Sequence, residues 1–317
     1  MKEIIRQKLN TLGLSKTPTF FIINYDLSEF YIEPLDSLDE NIRFAIDKKP
    51  SFHTKDFKYS FESVPFLVYK KSFDKIIEHI KSGNSYLTNL TFASKFYSKS
   101  SLKDIYEISD AKFKLYFKDK FICFSPERFV NIKNNKIYTY PMKGTINVKI
   151  KNAKKIILED KKEMAEHIMV VDLLRNDLSM VANNIKVEKF RYIDKIKAGE
   201  RELLQVSSKI SARLEENWSD NLGDIITTLL PAGSITGTPK KKTVEIIKDV
   251  ENYDRGYFSG VFGLFDGKNL DSGVMIRFIQ KLDNGEFIYK SGGGITIDSQ
   301  VKNEYEEMKE KVYVPIF

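Results

Sequence analysis

Residues 257–290 read YFSGVFGLFDGKNLDSGVMIRFIQKLDNGEFIYK. The stretch is rich in aromatic and β-branched residues, which favour pleated strands. Gly267 and the pair Asn284-Gly285 interrupt it, and such residues form the tight turns of β-hairpins. We therefore predict a β-meander of three strands. The predicted strands cover residues 257–266, 272–282 and 286–290.

Outward from this stretch, strands and helices fall into separate groups. Further strands are predicted in residues 18–33 (two strands around a turn at 26–28), 86–92, 113–130 and 136–140. Apolar residues recur at helical spacing, which predicts helices, at 73–80, 160–181, 222–230, 241–250 and 303–312. Grouped strands and grouped helices favour an α+β fold over a doubly wound parallel sheet.

The composition excludes several classes of protein. The chain has 317 residues, of which 42% are hydrophobic, as is ordinary for a globular domain. Its single cysteine, Cys123, excludes a disulfide framework, a Cys-based zinc site and an iron–sulfur cluster. The first residues lack the apolar core of a signal peptide, and no 18-residue apolar run occurs. We expect a soluble, cytoplasmic protein with no membrane partner.

The positive charge raises the alternative of nucleic-acid binding. The chain has 51 Lys+Arg and 44 Asp+Glu, a formal charge of +7. Acidic residues interleave with the basic ones, and no block of five like charges occurs. We therefore expect no nucleic-acid partner. A basic nucleic-acid-binding protein without enzymatic activity stays a distant alternative, and it would bind in a strongly salt-dependent way.

Two pairs of glutamates are candidate metal ligands. Glu163 and Glu166 lie three apart on one predicted helix, and Glu304 and Glu307 lie three apart on another. Residues three apart share a helix face, so the two pairs, brought together, would offer hard oxygen ligands to Mg²⁺. The alternative is that each pair forms surface salt bridges with neighbouring lysines.

Two glycine-rich segments are candidate anion-binding loops. PAGSITGTPK (231–240) contains Ser234 and leads into a predicted helix, whose first backbone N–H groups are free to bind an anion. SGGGI (291–295) follows a strand, and its glycines permit close approach of a ligand. A purely structural loop is the alternative for either. No G-x-G-x-x-G follows a strand, which argues against a dinucleotide site.

Three charged residues are candidates for chemistry or anion binding. Lys143 stands between a strand and Gly144, where a buried neutral amine could act as a nucleophile. Glu127 lies among apolar residues, where partial burial favours general-acid work. Arg277 lies in the apolar run GVMIRFI and would need an anionic partner if buried. The alternatives are a turn lysine and a salt bridge of Glu127 with Arg128.

Other reactive residue types show no such pattern. Three histidines are spread along the chain without metal-ligand spacing, and we expect them to have core or surface roles. They are His53, His79 and His167. Cys123 lies in the apolar run FICF and is predicted to be a core residue.

Eight segments, in this order, resemble the chorismate-utilising enzymes (anthranilate synthase component I-like). They are SGNSYLTNLT (82–91), FSPERF (124–129), PMKGT (141–145), EMAEHIMVVDLLRNDL (163–178), PAGSITGTPK (231–240), RGYFSGVFG (255–263), VMIRF (274–278) and GGGITIDSQVKNEYEE (292–307). The resemblance implies two large antiparallel sheets packed as a sandwich with helices outside. It also implies a single catalytic domain over 1–317, with 1–70 a reduced N-terminal portion.

Within that family, PMKGT resembles the form found in aminodeoxychorismate synthases. Anthranilate synthases, which are the closest alternative, carry alanine at the position of Lys143. Isochorismate and salicylate synthases use a lysine near the position of Leu87, and its absence argues against attack by water at C2. The resemblance thus implies amination of chorismate at C4, toward p-aminobenzoate and folate.

The resemblance also implies roles for individual residues. Lys143 would attack C2 of chorismate, and Glu127 would protonate the departing C4 hydroxyl. Mg²⁺ would be held by Glu166 and Glu307, with Glu163 and Glu304 in support. The residues implied to meet the ring carboxylate are Gly144, Thr145, Gly292, Gly294 and Lys311. Those implied to meet the enolpyruvyl carboxylate or line the pocket are Tyr257, Arg277 and Ser234.

The chain departs from the family at one position. The family commonly has histidine where this chain has Gln205 in LLQVSS, and an amide cannot carry a proton at neutral pH.

Cys123 has no flanking glycine, so the chain lacks the nucleophile of a glutaminase. We therefore expect a separate glutamine amidotransferase subunit to supply ammonia.

Overall fold

The computed structural model describes residues 1–48, 57–198 and 201–316. The helices are α1 (Lys2–Leu14), α2 (Phe66–Lys81), α3 (Leu102–Ile108), α4 (Ala153–Glu159), α5 (Lys161–Ser179), α6 (Leu222–Leu229), α7 (Lys240–Val250) and α8 (Val301–Glu310). The strands are β1 (Thr19–Ile23), β2 (Phe30–Pro34), β3 (Ile42–Ile46), β4 (Ser60–Glu62), β5 (Leu87–Tyr97), β6 (Phe113–Phe117), β7 (Phe121–Ser125), β8 (Arg128–Lys133), β9 (Lys136–Thr139), β10 (Met142–Asn147), β11 (Asn183–Ala198), β12 (Arg201–Arg213), β13 (Gly237–Thr238), β14 (Val261–Phe265), β15 (Leu270–Val274), β16 (Phe278–Lys281) and β17 (Phe287–Ile295).

The chain forms two compact units, each assembled from three separate segments. The first unit contains Met1–Leu38, Glu127–Ser234 and Ser259–Val274. The second contains Asp39–Pro126, Ile235–Phe258 and Met275–Phe317. The prediction of one catalytic domain with a reduced portion at 1–70 stays a prediction, and residues 49–56 of that portion lie outside the described residues.

The first unit is built on a nine-stranded antiparallel sheet. Its order is β10-β12-β9-β8-β15-β14-β1-β2, and β11 pairs with β12. All five residues of β1 are buried, and four of them are the apolar residues Phe20–Ile23. Asp160 is the N-cap of helix α5: its carboxylate accepts the Glu163 N–H at 2.9 Å. This cap fixes where α5 begins, and Glu163 and Glu166 lie in the first two turns of the helix.

The long hairpin of β11 and β12 was not predicted from the sequence. Its strands are rich in charged residues, and the register between them shifts at three places. Asn184 and Arg191 adopt positive φ, at 55° and 47°. Such irregular residues break the strict alternation by which a strand is recognised in sequence.

The second unit is built on an eight-stranded antiparallel sheet. Its order is β13-β5-β17-β16-β7-β6-β3, and β4 pairs with β5. One buried cluster joins α2, α7 and α8 to β5, and it contains Tyr69, Phe73, Leu90, Ile246 and Met308. This packing holds α8, which carries one glutamate pair, in the same core as the glycine-rich β17.

The predicted meander is wrong in its connection, although its strands exist. β14 and β15 pair in the nine-stranded sheet, whereas β16 and β17 pair in the eight-stranded sheet. The predicted strand 272–282 is interrupted, and Arg277 adopts a φ of 53° between β15 and β16. Buried apolar residues occur on both sides of the break, at Val274 in β15 and at Phe278 and Ile279 in β16, so hydrophobicity alone does not reveal that the chain changes sheets.

The α+β fold with two large antiparallel sheets is confirmed. The predicted helices at 73–80, 160–181, 222–230, 241–250 and 303–312 are present, with shifted ends, while α1, α3 and α4 were not predicted. Over the described ranges, no helix is long and apolar enough to cross a membrane.

Candidate active site

Lys143 and Glu166 lie together in the first unit. Lys143 is on β10, and its Nζ is 3.7 Å from Oε2 of Glu166. The other oxygen of Glu166 is 3.7 Å from Nζ of Lys162, one helical turn away. Glu166 is buried, so it is not the surface residue of the alternative interpretation. Both distances exceed those of a direct hydrogen bond, so each oxygen can take a closer partner.

Gly144 lets the helix α5 approach the strand that carries Lys143. Its φ is 80°, and a Cβ there would lie 2.8 Å from Oε2 of Glu163. Any side chain would therefore displace this carboxylate. Glu163 and Glu166 share the helix face that meets β10, as their spacing predicted.

Gln205, the position that departs from the family, pairs with Thr145 in the β10–β12 register. Gln205 is half-buried and Thr145 is exposed. The Gln205 amide therefore lies on β12 opposite Thr145, and Thr145 is two residues from Lys143 on β10.

His167 forms a buried network that sequence reasoning missed. Its Nε2 is 2.7 Å from Oγ of Ser208, and that oxygen accepts the Arg191 N–H at 2.9 Å. Burial, helped by the positive charges of Arg191 and Lys143, lowers the pKa of His167 to about 4. His167 is therefore a neutral core residue at pH 7, and it holds α5 against β12 next to Glu166. Of the other two histidines, His53 lies outside the described residues.

The depressed pKa of His167 predicts acid sensitivity. The unfolded chain takes up this proton near pH 6.5, whereas the folded chain resists it down to about pH 4. The contribution of His167 to the free energy of unfolding is therefore fully present above pH 6.5 and falls by about 3 kcal/mol as the pH drops to 4. Urea unfolding of the wild type and of His167→Gln measures this, and the variant is expected to lose less. Equal pH slopes in the two proteins would contradict the assignment.

Glu127 and Ser234 also lie together in the first unit. The Ser234 hydroxyl donates a short hydrogen bond to Oε1 of Glu127, and both line a narrow cavity with Asp177. The neighbouring Arg128 donates two hydrogen bonds to Asp271, at 2.7 and 2.8 Å. This bidentate pair fixes the start of β8 and hence the backbone that carries Glu127.

The second unit brings the triple glycine of β17 against the glutamates of α8. Nζ of Lys311 donates to the Gly292 carbonyl at 2.9 Å and lies 2.6 Å from Oε1 of Glu307. A Cβ on Gly293 would lie 3.3 Å from this Nζ, 3.8 Å from Glu307 and 3.9 Å from Glu304. The glycine therefore provides room for these charged groups. Glu304 is buried and accepts from Ser299 at 2.8 Å, whereas Glu307 is exposed.

Arg277 and Tyr257, also in the second unit, are held by aromatic residues. The Arg277 guanidinium lies 5.0 Å from the ring centre of Tyr313, and its buried Nε has no hydrogen-bond partner in the described part of the chain. A buried, unpartnered donor is costly, which suits it to an incoming anion. The Tyr257 ring stacks on Phe121 at 5.1 Å. Arg277 is therefore a candidate anion ligand, although it lies between strands rather than within one.

A family model for chorismate binding enzymes matches residues 21–316. The chain belongs to this family. It is 47% identical to an uncharacterized PabA-like protein of Haemophilus influenzae, over 100% of this chain and 97% of that protein. It is 32% identical to aminodeoxychorismate synthase component 1 of Escherichia coli and 30% identical to that of Bacillus subtilis. Each of these two alignments covers 77% of this chain but only 56% and 54% of the relative, so the chain spans about half their length.

Solved structures of the chorismate-binding enzymes share the fold. Anthranilate synthase component I of Streptococcus pneumoniae superposes with a TM-score of 0.68 at 24% identity, over 84% of this chain and 60% of that one. The menaquinone-specific isochorismate synthase of Escherichia coli superposes with a TM-score of 0.72 at 14% identity, over 98% and 80%. At these identities the likeness establishes the fold alone.

The acidic residues of this chorismate-binding enzyme suit a magnesium ion. Each unit presents one glutamate pair, and in the described ranges no three His, Cys, Asp or Glu side chains cluster as a ready-made metal cage. Mg²⁺ usually takes one or two protein carboxylates and completes its shell with water and substrate oxygens. Each pair therefore offers carboxylate oxygens of the kind that Mg²⁺ binds.

Cys123 is confirmed as a core residue. It is completely buried in β7, and burial raises the pKa of its thiol. A buried, protonated thiol is inert as a nucleophile.

Proposed function

We propose that this chorismate-binding enzyme acts as aminodeoxychorismate synthase component I and converts chorismate and ammonia to 4-amino-4-deoxychorismate. The observation that carries the proposal is the position of Lys143 on β10, beside the buried Glu166. The two relatives named as this synthase, at 30% and 32% identity, support the same choice. Anthranilate synthase component I is the alternative activity.

The reaction proceeds in two substitutions on the chorismate ring. Lys143, as the free amine, attacks C2 and loses a proton, both ring double bonds shift, and the C4 hydroxyl departs as water with a proton from Glu127. Ammonia then adds at C4 and loses a proton, both double bonds shift back, and the bond between C2 and Lys143 breaks as the leaving amine takes up a proton. Ser234, which donates to Glu127, orients this acid.

The remaining predicted residues bind the substrate carboxylates and the metal. Lys311 and the backbone at Gly144, Thr145, Gly292 and Gly294 receive the ring carboxylate, and Tyr257 and Arg277 receive the enolpyruvyl carboxylate. Glu166 and Glu307 would hold Mg²⁺, with Glu163 and Glu304 in support. When bound, the ion withdraws negative charge from the ring carboxylate and so favours addition of a nucleophile.

Ammonia comes from a glutamine amidotransferase subunit. A glutaminase needs a reactive thiolate, and the inert Cys123 supports a separate source. The partner is expected to be dispensable when ammonium salts are supplied at high concentration.

Identification of the product tests the proposed activity. The purified chain is incubated with chorismate, Mg²⁺ and ammonium, and the products are resolved by chromatography and mass spectrometry. We expect 4-amino-4-deoxychorismate, which retains the enolpyruvyl group. Anthranilate as the sole product would refute the assignment in favour of the alternative.

Gly293→Ala tests whether Lys311 needs the space that the glycine leaves between β17 and α8. The added methyl would lie 3.3 Å from Nζ of Lys311, which must move away from the Gly292 carbonyl and Glu307. We expect kcat/KM for chorismate to fall about tenfold, or ~1.4 kcal/mol. The free energy of unfolding should change by less than ~1 kcal/mol, because the displaced group is the end of a flexible side chain. An unchanged kcat/KM would show that Lys311 does not need this position.

A further inference from the structure

Lys290 is a buried lysine that the proposed chemistry does not use. It lies on β17, two residues before Gly292, and is only 3% exposed. Over the described ranges, no carboxylate lies within 4 Å of its Nζ; its hydrogen bonds go to backbone carbonyl groups. A buried ammonium without a carboxylate is costly, so its contacts need an explanation.

The ammonium of Lys290 contacts the turn that presents Tyr257. Its Nζ donates to the carbonyl of Asp254 at 3.2 Å and to that of Arg255 at 2.9 Å. The Arg255 carbonyl also accepts the N–H of Phe258 at 3.0 Å, which closes the turn. Gly256, with a φ of 56°, and Tyr257 are the central residues of this turn. Lys290 therefore braces the turn at the carbonyl that closes it.

A second set of buried contacts fixes the start of the same turn. The Arg255 guanidinium donates to both oxygens of Glu251, at 2.8 and 2.7 Å, and both side chains are 2% exposed. It also donates to the carbonyl groups of Ile235 at 3.0 Å and Asn89 at 2.8 Å. Within the turn, the Gly256 N–H donates to the Asp254 carboxylate at 2.8 Å, and Lys290 adds a contact at the Arg255 carbonyl that closes the turn.

The surroundings of Lys290 keep it a charged donor at neutral pH. Burial lowers its pKa to about 8, while Asp254 and Glu251 oppose the shift and Arg255 adds to it. Its Nζ lies 5.4 Å from the ring centre of Tyr253 and 5.8 Å from that of Phe278, distances at which aromatic faces stabilise a cation. A charged donor binds carbonyl oxygens more strongly than a neutral one.

We propose that Lys290 is a positioning residue for substrate recognition: it braces the Arg255–Phe258 turn and so fixes Tyr257 for binding a substrate carboxylate. The carboxylate is the enolpyruvyl group of chorismate, and this part of the inference rests on the proposed function. The bracing itself does not depend on the substrate.

Lys290→Met tests the brace, because methionine keeps the length and loses the donor. Lys281→Met is the matched control, since Lys281 lies on the neighbouring strand β16 in an exposed pair with Asp119. We expect backbone amides 256–258 to exchange with solvent at least about tenfold faster in Lys290→Met, without ligand. The KM for chorismate should rise about tenfold with kcat within about twofold. The control should match the wild type in both measurements.

Combination with Tyr257→Phe separates positioning from a general structural role. If Lys290 acts through Tyr257, the double variant should have the KM of the worse single variant, because the two changes remove one interaction. Multiplied KM effects, or a loss of kcat alone, would overturn the positioning role. Unchanged amide exchange at 256–258 would overturn the brace.

Two further measurements separate a failure of the brace from a failure of folding or of the proposed function. If Lys290→Met does not fold, Lys290→Gln, which retains N–H donors, is measured in the same way and should retain part of the protection at 256–258; complete loss of that protection would overturn the brace. A wild-type protein that does not use chorismate would refute the proposed function, while amide exchange would still decide whether Lys290 braces the turn.

Discussion

Lys143→Ala is expected to reduce the rate of chorismate amination about a thousandfold or more, equivalent to ~4 kcal/mol in transition-state stabilisation. The variant removes the amine proposed to form the covalent bond at C2, and no other group can replace that bond. Fold and stability should be little affected, since Lys143 is half-buried and pairs with Glu166 only at 3.7 Å. Steady-state kinetics with ammonium as the nitrogen source measures the loss.

Lys162→Ala is the matched control for Lys143→Ala. Lys162 also lies 3.7 Å from Glu166, but it is exposed on α5. Loss of either lysine removes a similar electrostatic contact, and only loss of Lys143 removes the nucleophile. We expect Lys162→Ala to keep its rate within about threefold. Amination at an unchanged rate in Lys143→Ala would refute the covalent role.

A covalent intermediate should also be visible directly. Rapid acid quenching of wild-type enzyme with chorismate in the absence of ammonium should give a protein whose mass is increased by one dehydrated chorismate. The same treatment of Lys143→Ala should give the unmodified mass. A mass increase that survives the substitution would place the adduct on another residue.

The sequence was sufficient for most elements because their patterns are regular. Helix α5 has the spacing of an amphipathic helix and a capping Asp160, so its position could be predicted closely. β11 and β12 could not be predicted in this way, because bulges and charged side chains hide their alternation. The change of sheet at Arg277 was missed for another reason, since strand pairing is a long-range property that no local pattern encodes.

The candidate site could be predicted in part from residue type and in part from resemblance. Chemistry and spacing made the glutamate pairs and Lys143 candidates, and the resemblance implied their roles; the structure places Glu163 and Glu166 on the face that meets β10. The networks behind them could not be predicted. His167 contacts Ser208 and Lys290 contacts residues 254–255, and these partners are 41 and about 35 residues away in the sequence. A lone histidine or lysine gives no local signal for such contacts.

Glu307→Gln is expected to reduce both activity and the affinity for Mg²⁺ by at least about a hundredfold. The amide keeps the shape of the side chain but loses the negative charge that a hard cation requires. It also replaces the 2.6 Å ion pair with Lys311 by a weaker hydrogen bond to an amide oxygen, while Nζ of Lys311 keeps its hydrogen bond to the Gly292 carbonyl. Activity measured against Mg²⁺ concentration, with calorimetric titration of Mg²⁺ in the presence of chorismate, separates the metal from the substrate.

Glu306→Gln is the matched control on the same helix. Glu306 is exposed and pairs with Lys309 on the surface, so its loss removes one negative charge from α8 without touching Lys311 or Gly293. We expect its activity and Mg²⁺ affinity to stay within about twofold of the wild type. If Glu306→Gln and Glu307→Gln lose Mg²⁺ affinity equally, the effect is that of overall charge. If only Glu307→Gln loses it, the ion is held by the carboxylate that faces the triple glycine.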